Sequence, residues 1–282
     1  MFDFRYHALS LVAVFLALGI GIVLGSSLGD SLVSAANRDV RGSLQNDVIQ
    51  ARESARTAAA AVEHRDDFIS ASFDRLAGNS LRGRRVAIVA SGGLPQEIEA
   101  DVRGAVADAG GTIDSVSRMD AAPDLPDLGN KLGGRFAALG SAGADLRPLS
   151  RRFAQALVHG GAIGRKLKAA YPDQFAGDFK GADAVVYYRA GIDRDAQSQR
   201  FESALVEGVR ASGGPAVGVE AASTDPSQIP FYDNAGLSTV DNVDQPAGHA
   251  ALALALAGAR GNFGFKDTAD APLPAAASPG GG

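Results

Sequence analysis

Two loops and a scatter of carboxylates are the places where this sequence could do chemistry. Ser91-Gly92-Gly93 stands where an apolar run ends and a helical pattern begins, so its backbone N–H groups could cradle an anion at a helix N-terminus. It has neither the full G-x-G-x-x-G nor the lysine of a phosphate loop, and a tight turn that needs glycine is the competing reading. Glu220, Asp225, Asp241 and Asp244 bring carboxylates toward one end of the late strands, where oxygen ligands would suit a hard cation. Helix capping competes with that role, most plainly at Asp244, just ahead of Gln245-Pro246. His7, His64, His159 and His249 are far apart, with no H-x-H or H-x-x-x-H pair, and read as structural or exposed. No G-x-S-x-G elbow and no triad order is present, so the chain reads as a non-enzyme without a cofactor.

Composition bounds what surrounds these residues. The 282 residues leave room for one α/β domain plus an appendage. With 46% hydrophobic and 21% charged residues and a net charge of −5, there is no basic excess to meet nucleic acid. The absence of cysteine removes disulfides and thiolate metal sites, which is compatible with an oxidising compartment without proving one.

From Ala8 to Leu28 no residue is charged, a run long enough to cross the roughly 30 Å hydrocarbon core as a helix. Residues 1–30 are therefore read as a transmembrane anchor. A cleaved signal peptide is the alternative, with Ser34-Ala35-Ala36 as a passable cleavage pattern, although its apolar region is usually only about 7–15 residues. Gly21 and Gly25 form a G-x-x-x-G that Ala17 extends, a small face on which two membrane helices can approach closely. Glycine is also simply common in such helices. Arg5 precedes the run and Arg38 and Arg41 follow it, so charge does not decide orientation.

Residues 31–78 read as a helical stalk, free of proline and nearly free of glycine until Gly78-Asn79 closes it. A 3.5-residue repeat runs through Leu44, Val48, Ala51, Ala55, Ala58, Val62, Ile69 and Leu76, weakened by Arg65 and Ser72 at the remaining seam positions. A parallel coiled-coil dimer would bury that stripe, and a single amphipathic helix folding back on the body is the alternative.

Residues 79–266 alternate strand and helix patterns, which implies a doubly wound, mostly parallel sheet with helices on both faces. Strands are predicted over 85–90, 112–119, 183–188, 215–220 and 237–240. Helices are predicted over 96–109, 151–170 (interrupted by Gly160-Gly161 and Gly164), 197–211 and 246–259, with a short one near 128–139. The Ala/Pro/Gly-rich end, 267–282, reads as a disordered tail. In such a sheet ligands bind outside the carboxyl ends of the strands, which singles out the loops Ser91-Gly92-Gly93, Arg189-Ala190-Gly191, 220–224 and 241–244, with Ser91, Gly92, Gly93, Glu220, Asp241 and Asp244 as weak ligand-binding candidates.

The opening Phe4-Arg5-Tyr6-His7-Ala8-Leu9-Ser10-Leu11-Val12-Ala13-Val14-Phe15-Leu16-Ala17-Leu18, then Gly21-Ile22-Val23-Leu24-Gly25-Ser26, resembles the start of the mycobacterial copper transport protein B (MctB) family of actinobacteria. Leu237-Ser238-Thr239-Val240-Asp241-Asn242-Val243-Asp244, with Gly248 and the run 251–257, is similar to that family's closing motif. The resemblance implies an anchored cell-envelope protein of copper homeostasis that limits intracellular copper, with its C-terminal domain outside the cytoplasm. Copper as a transported ion is what the resemblance implies; the residues themselves show no site for it, with no cysteine and Met1 and Met119 as the only methionines. A membrane, a homo-oligomer formed through the helix and coiled coil, and envelope proteins are the expected partners. The other reading is an anchored interaction module whose head binds a small ligand or an envelope partner without moving copper.

Overall fold

The computed structural model describes residues 4–141 and 145–275, with side chains from residue 7 and a gap in side-chain description over 26–43. The chain forms two compact units, Met1–His64 and Arg65–Gly282.

The first unit holds most of α1, a helix that runs over Phe4–Leu76. Within it His7–Gly25 is long and apolar enough to cross a membrane, the one such helix among the described residues. Ser26 to Leu28, the end of the expected span, lie outside the described side chains. Every residue from Leu44 to His64 is exposed in the single chain.

The last turns of α1 belong to the second unit, where Phe73 packs against the core. Gly78 N–H donates to the Phe73 carbonyl and Asn79 takes a positive φ of 64°, which ends the helix at the predicted place. β1 (Arg85–Ser91) follows, then α2 (Gln96–Asp108) and β2 (Thr112–Met119). α3 (Leu125–Leu132) starts earlier than predicted because Asp124 caps it, accepting from Asp127 N–H at 2.9 Å, and a 3-10 turn over Gly134–Gly140 completes that stretch.

The helical stretch predicted over 151–170 divides at its Gly160-Gly161 interruption into α4 (Leu146–His159) and α5 (Ala162–Ala170), and α4 starts five residues earlier than expected. Gly160 has φ 69°, and a Cβ there would sit 1.8 Å from the Phe179 carbonyl oxygen. The break exists so that this returning loop can pack against the chain. β3 (Phe175–Gly177), β4 (Ala184–Arg189), α6 (Ala196–Arg210), β5 (Ala216–Val219), α7 (Ile229–Asn234), β6 (Ser238–Val240), α8 (Pro246–Ala257) and β7 (Asn262–Phe263) complete the order. β3, α7 and β7 have no counterpart in the sequence reading; each spans at most six residues, too few to establish a period.

The seven-stranded sheet has the order β3-β2-β1-β4-β5-β6-β7, all parallel except β3 against β2. Alternate residues feed two cores. Val86, Ile88, Val186 and Val217 face α2 and α8, while Val89, Val185 and Tyr187 face Leu128, Phe153, Leu157 and Phe201. Burial on both faces explains why the strands read as near-continuous apolar runs.

Residues 267–275, the first part of the stretch expected to be disordered, are attached to the head. Asp270 N–H donates to the Asn262 carbonyl at 2.7 Å, Phe263 bridges Ala271, and Leu273 packs against the core. An apolar side chain inside a composition typical of disorder was enough to dock this segment. Residues 276–282 lie outside the described residues.

Candidate functional site

From β1 the chain first builds outward to β2 and then returns to place β4 on the other side. The crevice outside the carboxyl ends of β1 and β4 is thus the switch point at which sheets of this kind bind ligands. The structure puts Ser91, Gly92 and Gly93 there, as the sequence order requires.

Their donors are already used. Gly92 and Gly93 N–H both donate to the Met119 carbonyl, at 2.8 and 3.2 Å. Arg194, whose side chain is 0% exposed, fills the space beside them. Its Nη2 donates to the Ser91 carbonyl at 3.1 Å and to Ser91 Oγ at 3.2 Å, and its Nη1 to the carbonyls of Ala190 and Ile192. A Cβ on Gly92 would lie 2.9 Å from the Ala190 Cβ and 3.2 Å from Arg194 Nη2. Gly92 therefore makes room for a protein guanidinium, and its amide does not face a ligand.

Arg194 belongs to a buried ionic cluster. Glu202 Oε2 lies 3.0 Å from Arg194 Nε and 3.2 Å from Arg189 Nε, and the Tyr187 hydroxyl donates to Glu202 Oε1 at 3.4 Å. Arg189 also donates to Gln228 Oε1 and stacks 4.5 Å over the Phe231 ring. Burial lowers the pKa of Arg194 while Glu202 raises it, and burial pushes the Tyr187 hydroxyl well above its ordinary value. Two cations share one carboxylate, yet both are tied into the fold.

The carboxylates at the ends of β5 and β6 form a second cluster. Glu220 is fully buried and accepts from Ser227 Oγ at 2.8 Å, Gln228 N–H at 2.5 Å and Lys266 Nζ at 2.5 Å. Lys266 Nζ also donates to the Thr224 carbonyl at 2.8 Å. Asp241 accepts the backbone N–H groups of Phe265 and Lys266, each at 2.9 Å. At Gly264, φ 140°, a Cβ would fall 1.8 Å from Asp241 Oδ1, so glycine is what lets the loop reach that carboxylate. Asp244 does not cap α8: Gln245 occupies the cap position, and Asp244 Oδ1 accepts Ala222 N–H at 2.8 Å.

These oxygens fasten the loops after β5 and β7 to the sheet. Among the described residues no three His, Cys, Asp or Glu side chains come together as metal ligands. His249 Nε2 lies 3.6 Å from Asp101 Oδ1, pairing α8 with α2, and Met119 is buried in β2.

Arg194, Glu202, Arg189, Gln228 and Lys266 decide the character of both clusters; the sequence reading placed the Arg189 loop at this sheet edge and missed the other four. Only Arg189 carried a local signal, as a charge ending an apolar strand. On α1, Ala17 is exposed, and Cβ atoms built at Gly21 and Gly25 would meet nothing within 4 Å.

None of the curated proteins compared with the chain matches it. A family model described as "Copper transport outer membrane protein, MctB" matches residues 1–152 and 176–274, which takes in α1, both clusters and all but one of the sheet strands in whole. The chain belongs to the MctB family of copper transport outer membrane proteins.

Proposed function

We propose that this chain is a membrane-anchored envelope protein of copper homeostasis that limits copper inside the cell. The observation that carries the reading is the family match over nearly the whole chain, joined to the apolar helix His7–Gly25. The anchor holds the α/β head outside the cytoplasm. A single apolar helix encloses no pore, and the sheet strands are covered on both faces by protein, unlike the lipid-facing strands of a membrane barrel. Passage of copper would accordingly need further copies or a partner. Direct copper capture by the head has little support in its residues, since there is no cysteine and Met119 is buried.

The test is a deletion strain, measured for cell copper and copper tolerance. Deletion raises cell copper and sensitivity, the full chain restores both, and a version truncated after Gly78 does not. Unchanged copper in the deletion strain overturns the reading.

The second reading, an anchored module acting through an envelope partner without copper, is favoured by one observation: Arg194 fills the switch-point crevice. A head so filled offers partners its surface. Normal copper tolerance together with a specific envelope complex captured on the head would select it. In both readings the head acts by binding and not by catalysis.

A further inference from the structure

We infer that a second copy of this chain covers α1 between Leu44 and Val62, as a parallel, in-register coiled coil that stops short of Arg65. Every residue of this segment is exposed in the single chain, including Leu44 at 56%, Val48 at 47% and Val62 at 46%. A helix in water owes most of its stability to packing of an apolar face, and among the described residues nothing buries this one.

The spacing names the face. Leu44, Ala51 and Ala58 fall at d positions and Val48, Ala55 and Val62 at a positions of consecutive heptads. That register puts Asp47 at g and Arg52 at the following e. In a parallel in-register pair these meet across the seam, Asp47 of each copy beside Arg52 of the other, once on each side. An antiparallel pair sets g against g and e against e, so Asp47 would face Ser54, Ala61 or another Asp47. Charge pairing at e and g sets partner and orientation, and here it selects the parallel arrangement.

The lower limit comes from the head. Arg65, the next d residue, has its guanidinium 5.0 Å over the Phe265 ring of its own head and 2.9 Å from Asp66. Ile69 and Ser72, the following a and d residues, are half-buried, and Phe73 packs on the head core. The side of the helix that would continue the seam is already occupied there. Anchoring in one bilayer also favours parallel copies, and that part alone rests on the proposed function; copper tolerance tests that function, whereas the cross-linking below reads the pairing of α1 whether or not copper is handled.

The chain lacks cysteine, so single-cysteine variants of the full chain in lipid nanodiscs give unambiguous disulfides. Val48→Cys and Val62→Cys each cross-link to themselves on mild oxidation, while Gln50→Cys, on the outer face, and Ile69→Cys, against the head, stay uncross-linked. In the Val48→Cys background, Asp47→Arg or Arg52→Asp lowers cross-linking several-fold, and the two together restore it. Absence of cross-links at both seam positions, equal cross-linking at Gln50, Val62-like cross-linking at Ile69, or, when the Val48→Cys and Val62→Cys chains are mixed, a Val48–Val62 product in preference to the matched ones overturns the inference. So does failure of the double charge reversal to rescue the single ones.

Discussion

The guanidinium of Arg194 lies 3.1 Å from the carbonyl oxygen of Ser91, across the point where the sheet changes direction. That hydrogen bond joins the end of β1 to the loop after β4 and uses the space a ligand would need. The fold therefore keeps the topology of a binding protein with its customary crevice filled from within. Four measurements follow from this arrangement and its neighbours.

Removing Glu202 strands two guanidinium groups, one of them with a side chain 0% exposed. Glu202→Ala should cost about 3–5 kcal/mol of head stability, the usual loss when a buried pair loses one partner. With no tryptophan in the chain, tyrosine fluorescence from buried Tyr187 and Tyr232 reports the unfolding directly in a denaturant titration. A change under about 1 kcal/mol would mean that the cluster is not structural.

Lys266→Met leaves Glu220 buried without its cation, and a loss on the order of 3 kcal/mol is expected. Pairing it with Glu220→Gln should recover part of that loss, because the carboxylate is then gone as well. A double-mutant cycle on the same unfolding signal measures the coupling, and additive effects would contradict the contact seen at 2.5 Å.

Acid should weaken the head partly through Glu99. Burial raises its pKa, but hydrogen bonds and charge from Arg118 at 2.5 Å and Arg103 at 2.9 Å outweigh that and hold it below 4.5. A carboxylate depressed on folding contributes stability above its unfolded value, and the contribution is lost as pH falls through the folded value. Melting temperatures between pH 7 and pH 3 should therefore fall less steeply below about 4.5 in Glu99→Gln than in the parent.

Two glycine substitutions in helices should act in opposite directions. Gly104 in α2 has nothing within 4 Å of a new Cβ, so Gly104→Ala should stabilise by about 0.5–1 kcal/mol through helix propensity alone. At Gly248 in α8 the Cβ would fall 1.9 Å from the Asn242 carbonyl oxygen, and Gly248→Ala should destabilise by at least about 1–3 kcal/mol. Thermal melts of the two variants side by side decide the matter; equal shifts would contradict the packing of α8 against the β6 loop.

The sequence by itself determined the parts that depend on neighbours in the chain. Ala8 to Leu28 announce a membrane-length helix, Val86 to Ala90 a strand covered on both faces, and Gly78-Asn79 the end of α1. Apolar periodicity and positive φ are local properties, legible wherever a segment is long enough to show them. The order of strands and helices also placed Ser91 and Glu220 at the correct edge of the sheet. What occupies that edge was decided only by the tertiary structure. Arg194 reaches Ser91 from 103 residues away, and Lys266 reaches Glu220 from 46. Neither pairing leaves a pattern in the chain, since parallel crossovers choose which loops meet and burial then forces each carboxylate and amide there to find a partner. The glycines and acids that spelled a ligand cradle in sequence were spent on holding the protein's own loops.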